Sequence, residues 1–161
     1  MDEADELEVA FRAHASHVLR LAYLLTGQRE AAEDITQEAF VRLGRRVLKL
    51  RDADHTRAYL LRTAINLCRG RGRRGEAERR ALSRLPRPSP VPPPDVAQGD
   101  TIWNALLTLP KRQRTAIFLR YYLDQSESQS AEILGCSSSA LKSLVTRGLR
   151  SLRDAAEGEE A

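Results

Sequence analysis

Aromatic side chains are scarce in this sequence. Phenylalanine, tryptophan and tyrosine make up 5% of the 161 residues, whereas hydrophobic residues of all kinds make up 42%. A hydrophobic core must therefore be built from leucine, alanine, isoleucine and valine. Leucine and alanine favour helices, and the β-branched residues that favour strands are sparse. The composition predicts an all-α protein, long enough for one ordinary domain or two small ones.

The sequence also has few cysteines and no long apolar run. Cys68 and Cys136 lie outside any Cys-x-x-Cys or Cys/His cluster, so neither a disulfide framework nor a structural zinc site is indicated. The N-terminus, MDEADELEV, is acidic and lacks the apolar segment of a secretory signal. No apolar run approaches the length of a membrane span. We therefore expect a cytoplasmic protein without membrane contact, metal or cofactor.

The sequence patterns of enzymes are missing as well. There is no phosphate-binding loop and no dinucleotide-binding fingerprint. His14 and His17 are three residues apart on a predicted helix, but no third metal ligand is evident. The serines at 137–139 lack the Gly-x-Ser-x-Gly frame of a nucleophile and are interpreted as a helix cap. The sequence therefore does not predict an enzyme.

Basic charge is concentrated in the middle of the chain, although the overall net charge is only +4. Residues 1–44 carry a net charge of −5 and residues 88–161 carry −1. Residues 45–87, with fourteen basic and four acidic side chains, reach +10. A block this basic in a small protein indicates binding to a polyanion, most often a nucleic acid. The alternative is a well-solvated, arginine-rich surface.

Proline marks the expected domain boundary. Six of the seven prolines fall within residues 84–99, a stretch that should be extended and solvated. It predicts a linker between two small helical domains, residues 1–83 and residues 100–156. An acidic tail, residues 157–161, is expected to be frayed.

Hydrophobic periodicity predicts three helices in the first domain. They span about 4–26, 29–46 and 54–70. Asp54 marks the start of the third helix, and the glycines that follow it are expected to loosen the backbone; these are Gly70, Gly72 and Gly75.

Four helices are predicted in the second domain, at about 100–108, 111–124, 127–134 and 138–154. Ser126 with Gln129 forms a capping-box pattern at the start of the third of them, and Ser137 is the predicted N-cap of the fourth.

The second helix of the first domain has two distinct faces. A buried stripe is predicted at Ala32, Ile35, Ala39 and Leu43. The opposite face carries side chains at i, i+3, i+4 and i+7, namely Asp34, Gln37, Glu38 and Val41. Three polar groups beside an exposed apolar residue suit a protein-binding surface with a polar rim. From periodicity alone, however, an ordinary solvated face is the preferred interpretation.

A basic stripe runs along the third predicted helix, formed by Arg62, Asn66, Arg69 and Arg73. Arginines bind phosphates, and an asparagine can hydrogen-bond to an exposed base. Tyr59 lies one turn before Arg62, where its ring could stack on an unpaired base, although core packing is an equally good interpretation. Arg71 and Arg74 extend the basic patch beyond the predicted end of the helix.

The spacing of Ala131, Gly135 and Leu141 predicts a helix-turn-helix. Its second helix presents polar groups outward that suit phosphates and base edges: Ser138, Ser139, Lys142, Ser143, Thr146 and Arg147. Lys111, Arg112 and Arg114 could clamp the DNA backbone at the start of another helix. A helical hairpin in a protein that does not bind DNA is the alternative.

Taken in order, these segments resemble the extracytoplasmic-function (ECF) sigma factors of the sigma-70 family, particularly the actinobacterial kind. AYLLTGQREAAEDITQEAFVRL resembles the polymerase-binding part of sigma domain 2, and AYLLRTAINLCRGRGRR resembles its promoter-melting and −10-recognition part. The segment from Leu109 to Arg153 resembles sigma domain 4, which recognises the −35 element. The position of Ser130 is commonly aliphatic in this family. The resemblance covers nearly all of the chain except the linker and the tail.

The resemblance implies a role for each surface. The polar face of the second helix would bind the clamp helices of the polymerase β′ subunit. The basic stripe would hold the −10 region and its flipped non-template bases. Three residues of the last helix would enter the −35 major groove: Lys142, Ser143 and Arg147. The apolar side of the second domain would offer a groove to the polymerase β flap, at Leu119, Tyr122 and Leu149.

The expected function is that of a sigma factor, which binds core RNA polymerase, recognises the −35 and −10 elements and helps to open the DNA. The expected partners are core polymerase, promoter DNA as duplex and as melted non-template strand, and, as is common in the family, an anti-sigma factor. One alternative is a stand-alone helix-turn-helix regulator that binds duplex DNA without polymerase. Another is a sigma-like interaction module without DNA activity.

Overall fold

The computed structural model describes residues 2–46, 52–81 and 101–160. The regular structure within these ranges is entirely helical, which confirms the all-α prediction. The chain divides into two compact units, Met1–Pro93 and Pro94–Ala161. The predicted linker lies outside the described residues.

The first unit is built from three helices, α1 (Glu3–Thr26), α2 (Arg29–Gly44) and α3 (Ala53–Ala81). Each helix contacts the other two. The predicted stripe of α2 is buried, as are the apolar residues at the centre of α3, because leucine, isoleucine and alanine from all three helices meet in one core. Its largest fully buried side chains include Leu21, Leu24, Ile35, Leu43, Leu60 and Leu61.

The bounds of α3 differ from the prediction at both ends. The carboxylate of Asp52, not of Asp54, accepts the backbone N–H of His55 at 2.8 Å, so the helix is capped two residues earlier than expected. At the other end the helix, predicted to end near residue 70, continues to Ala81 through the glycines that were expected to loosen the backbone. Gly70 and Gly72 keep ordinary helical backbone angles, and arginines, good helix formers, lie around them.

The second unit contains α4 (Thr101–Leu107), α5 (Lys111–Ile117), a π-helical turn (Phe118–Tyr122), α6 (Glu127–Leu134) and α7 (Ser138–Glu160). Helix α7 contacts α4, α5 and α6 and so organises the unit. The capping box of α6 is confirmed, because Ser126 and Gln129 exchange side-chain and backbone hydrogen bonds at 3.0 Å. Helix α7 continues to Glu160 and so includes residues 157–160 of the predicted acidic tail.

Ser130 introduces a polar defect into the core of the second unit. Its side chain is 0% exposed and its Oγ has no hydrogen-bond partner. We expect Ser130→Ala to raise the free energy of unfolding of this unit by about 1 kcal/mol, because a buried hydroxyl without a partner is costly. Denaturation followed by the fluorescence of Trp103, the single tryptophan, reports on this unit. Ser128→Ala, at an exposed position of the same helix, is the control and should give a smaller gain.

Two histidines of α1 lie against α3 in the first unit. His14 is only 3% exposed and His17 is half-buried, and the Nδ1 atoms of both are buried without a hydrogen-bond partner. Burial lowers the pKa of both imidazoles, and the nearby Arg57 guanidinium lowers it further. Arg20 acts in the same direction on His17, whereas Asp54 opposes the shift at His14.

The first unit should therefore lose stability as the pH falls from about 7 to about 5. In this window the unfolded chain protonates imidazoles that the folded chain keeps neutral, so protonation favours unfolding. Urea denaturation followed by far-UV circular dichroism at several pH values measures the effect. The double variant His14→Gln/His17→Gln should show a clearly weaker pH dependence, whereas His55→Gln, at an exposed histidine, should keep it. An unchanged slope in the double variant would contradict this assignment.

Candidate protein and nucleic-acid interfaces

The polar face of α2 lies on the surface of the first unit. Its four members are all exposed, with Val41 at 50%: Asp34, Gln37, Glu38 and Val41. Helix geometry explains this, because the apolar stripe on the other side of α2 is held in the core. Glu38 forms an ion pair with Arg42 at 3.0 Å within the same helix. This surface, called the α2 face below, has the polar and apolar groups that a protein interface needs.

The basic stripe of α3 is also on the surface. Arg62, Asn66 and Arg69 are exposed on successive turns of the helix. Arg73 and Arg74 belong to α3 as well, but their side chains lie outside those described. The stripe combines cationic groups for phosphates with one amide that can donate to and accept from a base edge.

The sequence left two interpretations of Tyr59 open, packing in the core and stacking on a base, and the structure matches neither completely. Its side chain is half-buried, and the guanidinium carbon of Arg46 lies 5.7 Å from the centre of its ring. This is the distance of a cation–π contact. Arg46 therefore covers one side of the ring, and stacking on a base at that side would require the arginine to move.

Arg71 does not extend the basic stripe as predicted. Because α3 remains helical here, Arg71 is turned by about 140° from Asn66 and by about 180° from Arg62. Its Nη2 lies 3.2 Å from the Oδ2 of Asp34 on the α2 face. The side chain of Arg71 therefore points toward α2 and not along the stripe, because the helix continues past the end that the sequence predicted.

The helix-turn-helix has the predicted turn. Gly135 adopts a left-handed conformation with φ of 75°, which favours glycine, and its N–H donates to the Ala131 carbonyl at 2.8 Å. Leu141 is fully buried and anchors α7 on α6. At the start of α7, Ser137 Oγ accepts the N–H of Ala140 at 3.1 Å, which confirms the predicted cap.

The outward face of α7 carries the expected polar groups. Five are exposed, namely Ser138, Ser139, Lys142, Thr146 and Arg147. Ser143 is only half-buried and remains partly accessible. The ammonium group of Lys142 lies 3.6 Å from the carboxylate of Glu127 on α6. An exposed pair of this kind is weak and can be exchanged for a phosphate contact.

Arg114 has a structural role and does not support the predicted DNA clamp. Its half-buried guanidinium donates hydrogen bonds of 2.9–3.1 Å to carbonyls at and just after the end of α4, those of Leu106, Leu107 and Leu109. The last carbonyls of a helix have no partner further along the helix, and Arg114 adds to the single backbone N–H, that of Leu109, that the Leu106 carbonyl accepts. Burial also lowers the pKa of Arg114. Arg112, in contrast, is exposed and remains available to a phosphate.

The residues predicted to line an apolar groove on the second unit are not all on its surface. Leu119 is 0% exposed and belongs to the core, as does the whole run from Thr115 to Leu119 in α5 and the π-helical turn. Tyr122 is exposed but its ring stacks on Phe118 at 4.7 Å, and Leu149 is half-buried. Tyr121, which is 58% exposed, was not predicted to belong to this surface. The adjacent tyrosine pair, unusual in a chain so poor in aromatics, was the available signal.

Two classes of site receive no support. Among the described residues no group of three or more His, Cys, Asp or Glu side chains could hold a metal ion. Within the same residues, no helix has both the length and the apolar character needed to cross a membrane.

Both units match parts of one known protein family. The model for sigma-70 region 2 matches residues 10–78, and the model for sigma-70 region 4 matches residues 100–152. The RNA polymerase sigma-E factor of Streptomyces coelicolor is 30% identical, over 96% of this chain and 88% of that protein. The chain therefore belongs to the sigma-70 family of RNA polymerase sigma factors, in its ECF group.

The chain is also similar to the ECF RNA polymerase sigma factor SigE of Mycolicibacterium smegmatis, with 35% identity over 96% of this chain. It spans 62% of the length of that relative, and 37% of the probable sigma factor RfaY of Xanthomonas campestris. The sigma factor RpoE of Bartonella quintana, solved in complex with the anti-sigma factor NepR, shares the fold with a TM-score of 0.76. The match covers 94% of each chain at 23% identity.

Proposed function

We propose that this chain binds core RNA polymerase, directs it to promoters by recognising −35 and −10 elements, and helps to open the DNA. The proposal rests on one observation: the same small unit presents an exposed acidic α2 face and an exposed basic stripe on α3. Membership of the sigma-70 family supplies the partners that fit these two surfaces.

The α2 face is assigned to the clamp helices of the polymerase β′ subunit. Asp34 and Glu38 provide negative charge for cationic partners, Gln37 provides an amide, and Val41 provides exposed apolar area. Electrostatic complementarity of this kind gives orientation and speed of association, and the apolar residue adds buried area. The tyrosine pair of the second unit, Tyr121 and Tyr122, is assigned to the β flap.

The basic stripe is assigned to the −10 region. Arg62 and Arg69 neutralise phosphates, and Asn66 lies between them, where its amide can bind the edge of a base that has left the duplex. Capturing an unpaired base opposes reannealing of the strands, so binding energy drives DNA opening without a covalent step. Tyr59 can take part only after Arg46 has moved from its ring.

Helix α7 is assigned to the major groove of the −35 element. Its N-terminal turns present Ser139, Lys142, Thr146 and Arg147. Side chains of these types contact phosphates and base edges in helix-turn-helix proteins. Each DNA site is weak by itself. When polymerase holds both units at the promoter spacing, the second contact becomes intramolecular and the two sites act as one strong site.

The proposal includes an inhibitory partner and a cellular location. A sigma factor with the same fold was solved bound to an anti-sigma factor, and such a partner would cover surfaces that polymerase uses. As a sigma factor, this chain would work in the cytoplasm, where polymerase and chromosomal DNA are, and would catalyse no reaction of its own.

In-vitro transcription tests this function. The purified chain is added to core RNA polymerase with fragmented DNA from the same genome, and the 5′ ends of the transcripts are sequenced. Discrete start sites that share two upstream elements are expected. Duplex binding by the chain alone, without starts that depend on it, would instead identify a stand-alone regulator. If the chain shows neither activity, it is identified as an interaction module.

A further inference from the structure

Beyond Cys68, the described side chains of α3 leave the core of the first unit. Cys68 is the last buried residue among them, and residues 69–72 are exposed or half-buried. A helix is stabilised in a protein mainly by packing of its apolar face. The segment Arg69–Gly72, called the basic segment below, therefore depends on other contacts to stay helical.

Glycine weakens the helix in this segment. A Cβ at Gly70 or at Gly72 would meet no other atom within 4 Å, and neither residue has a positive φ. Nothing within the described chain therefore requires glycine at these positions. Each glycine nevertheless makes the helix less stable than alanine would, because it has more conformational freedom in the unfolded state.

A tertiary contact ties the basic segment to α2. Arg71, between the two glycines, forms the 3.2 Å ion pair with Asp34, which is 37 residues away in the sequence. Both side chains are about half exposed, at 47% and 53%. Exposed ion pairs contribute little and are screened by salt, so this contact is weak enough to be exchanged for another.

We propose that the Asp34–Arg71 pair is a tether that stabilises the helical form of the basic segment, and that a cationic group of polymerase releases it by binding Asp34. Asp34 belongs to the α2 face, so the same carboxylate serves the tether and the partner. Release leaves a glycine-weakened arginine segment free to adapt to the DNA backbone. Polymerase binding and nucleic-acid contact are then coupled through one side chain. The polymerase part of this inference rests on the proposed function.

Hydrogen exchange measured by mass spectrometry on the free, full-length chain tests the tether. Asp34→Asn should accelerate amide exchange in the basic segment about two- to fivefold, the effect of losing one exposed ion pair. Exchange in the buried part of α3, residues 60–68, should not change. Glu30→Gln removes the same charge one turn earlier on α2, at another exposed position, and should leave the basic segment unaffected. Equal exchange in Asp34→Asn and the unchanged chain, or equal acceleration by Glu30→Gln, would overturn the tether.

Two further variants test the parts separately. Arg71→Gln should accelerate exchange as Asp34→Asn does, and the double variant should be no faster than either single variant. Gly70→Ala/Gly72→Ala should slow exchange by about tenfold or more, because alanine restores helix stability. An additive double variant, or unaltered exchange in the alanine variant, would contradict the mechanism.

Adding core polymerase without DNA tests the release. Protection of residues 34–41 together with faster exchange in the basic segment is the expected result. Protection of residues 34–41 with unchanged or slower exchange in the basic segment would overturn the release while leaving the proposed function intact. Absence of protection on the α2 face would count against the proposed polymerase contact and against release, and the variants of the free chain would still decide the tether.

Discussion

Replacing Asn66 with alanine is expected to reduce open-complex formation by about tenfold, while binding to core polymerase stays nearly unchanged. Asn66 is exposed at the centre of the basic stripe and away from the α2 face. A well-placed amide contact to a base contributes about 1–3 kcal/mol, and this interaction exists only when the base has left the duplex. The loss should therefore fall on DNA opening and not on assembly.

Permanganate footprinting of unpaired thymines measures opening, and fluorescence anisotropy with labelled chain measures polymerase binding. Asn104→Ala is a matched control, because Asn104 is an exposed asparagine on α4, outside the assigned surfaces. It should leave both quantities unchanged. An equal loss of opening and of polymerase binding in Asn66→Ala would show that the stripe has been assigned to the wrong partner.

Replacing Gly148 with valine is expected to destabilise the second unit by about 1–3 kcal/mol. A Cβ at this position would overlap the Cδ1 of Ile117 and lie 3.5 Å from the Cβ of Gln113. Ile117 is buried, so its side chain has little room to move. The glycine lets α7 approach α5 closely, and a larger residue forces the helices apart.

Denaturation followed by Trp103 fluorescence measures this change, and duplex DNA binding should weaken under conditions where the variant is partly unfolded. Gly158→Val provides the comparison on the same helix, because a Cβ at Gly158 meets nothing within 4 Å. It should leave stability unchanged or slightly raised, since valine has a higher helix propensity than glycine. Similar destabilisation by both substitutions would attribute the effect to α7 itself and not to its packing against α5.

Features that depend on neighbouring residues were predictable from the sequence. The buried stripe of α2 follows from a 3.6-residue period, and its exposed face follows from the same period. The capping box of Ser126 and the left-handed turn at Gly135 are formed within a few residues. Their hydrogen bonds need no partner from elsewhere in the chain, so local pattern was sufficient.

Features that depend on distant residues were mispredicted. Arg114 was expected to bind DNA because it is an arginine at a helix start, yet three carbonyls at the end of α4 hold its guanidinium. Leu119 was expected on a surface groove, but the π-helical turn and its neighbours enclose it. Arg71 was assigned to the basic stripe because the glycines suggested that α3 ends before it.

The sequence by itself determined the helical class, the basic middle of the chain, the faces of α2 and the helix-turn-helix, because composition, period and local capping encode them. Only the tertiary structure decided where α3 ends, which side chains support the core and which remain on the surface. Burial and inter-helix pairing depend on atoms brought together from positions far apart in the chain. The pair between Asp34 and Arg71, 37 residues apart, is such a contact, and it links the α2 face to the basic segment of α3.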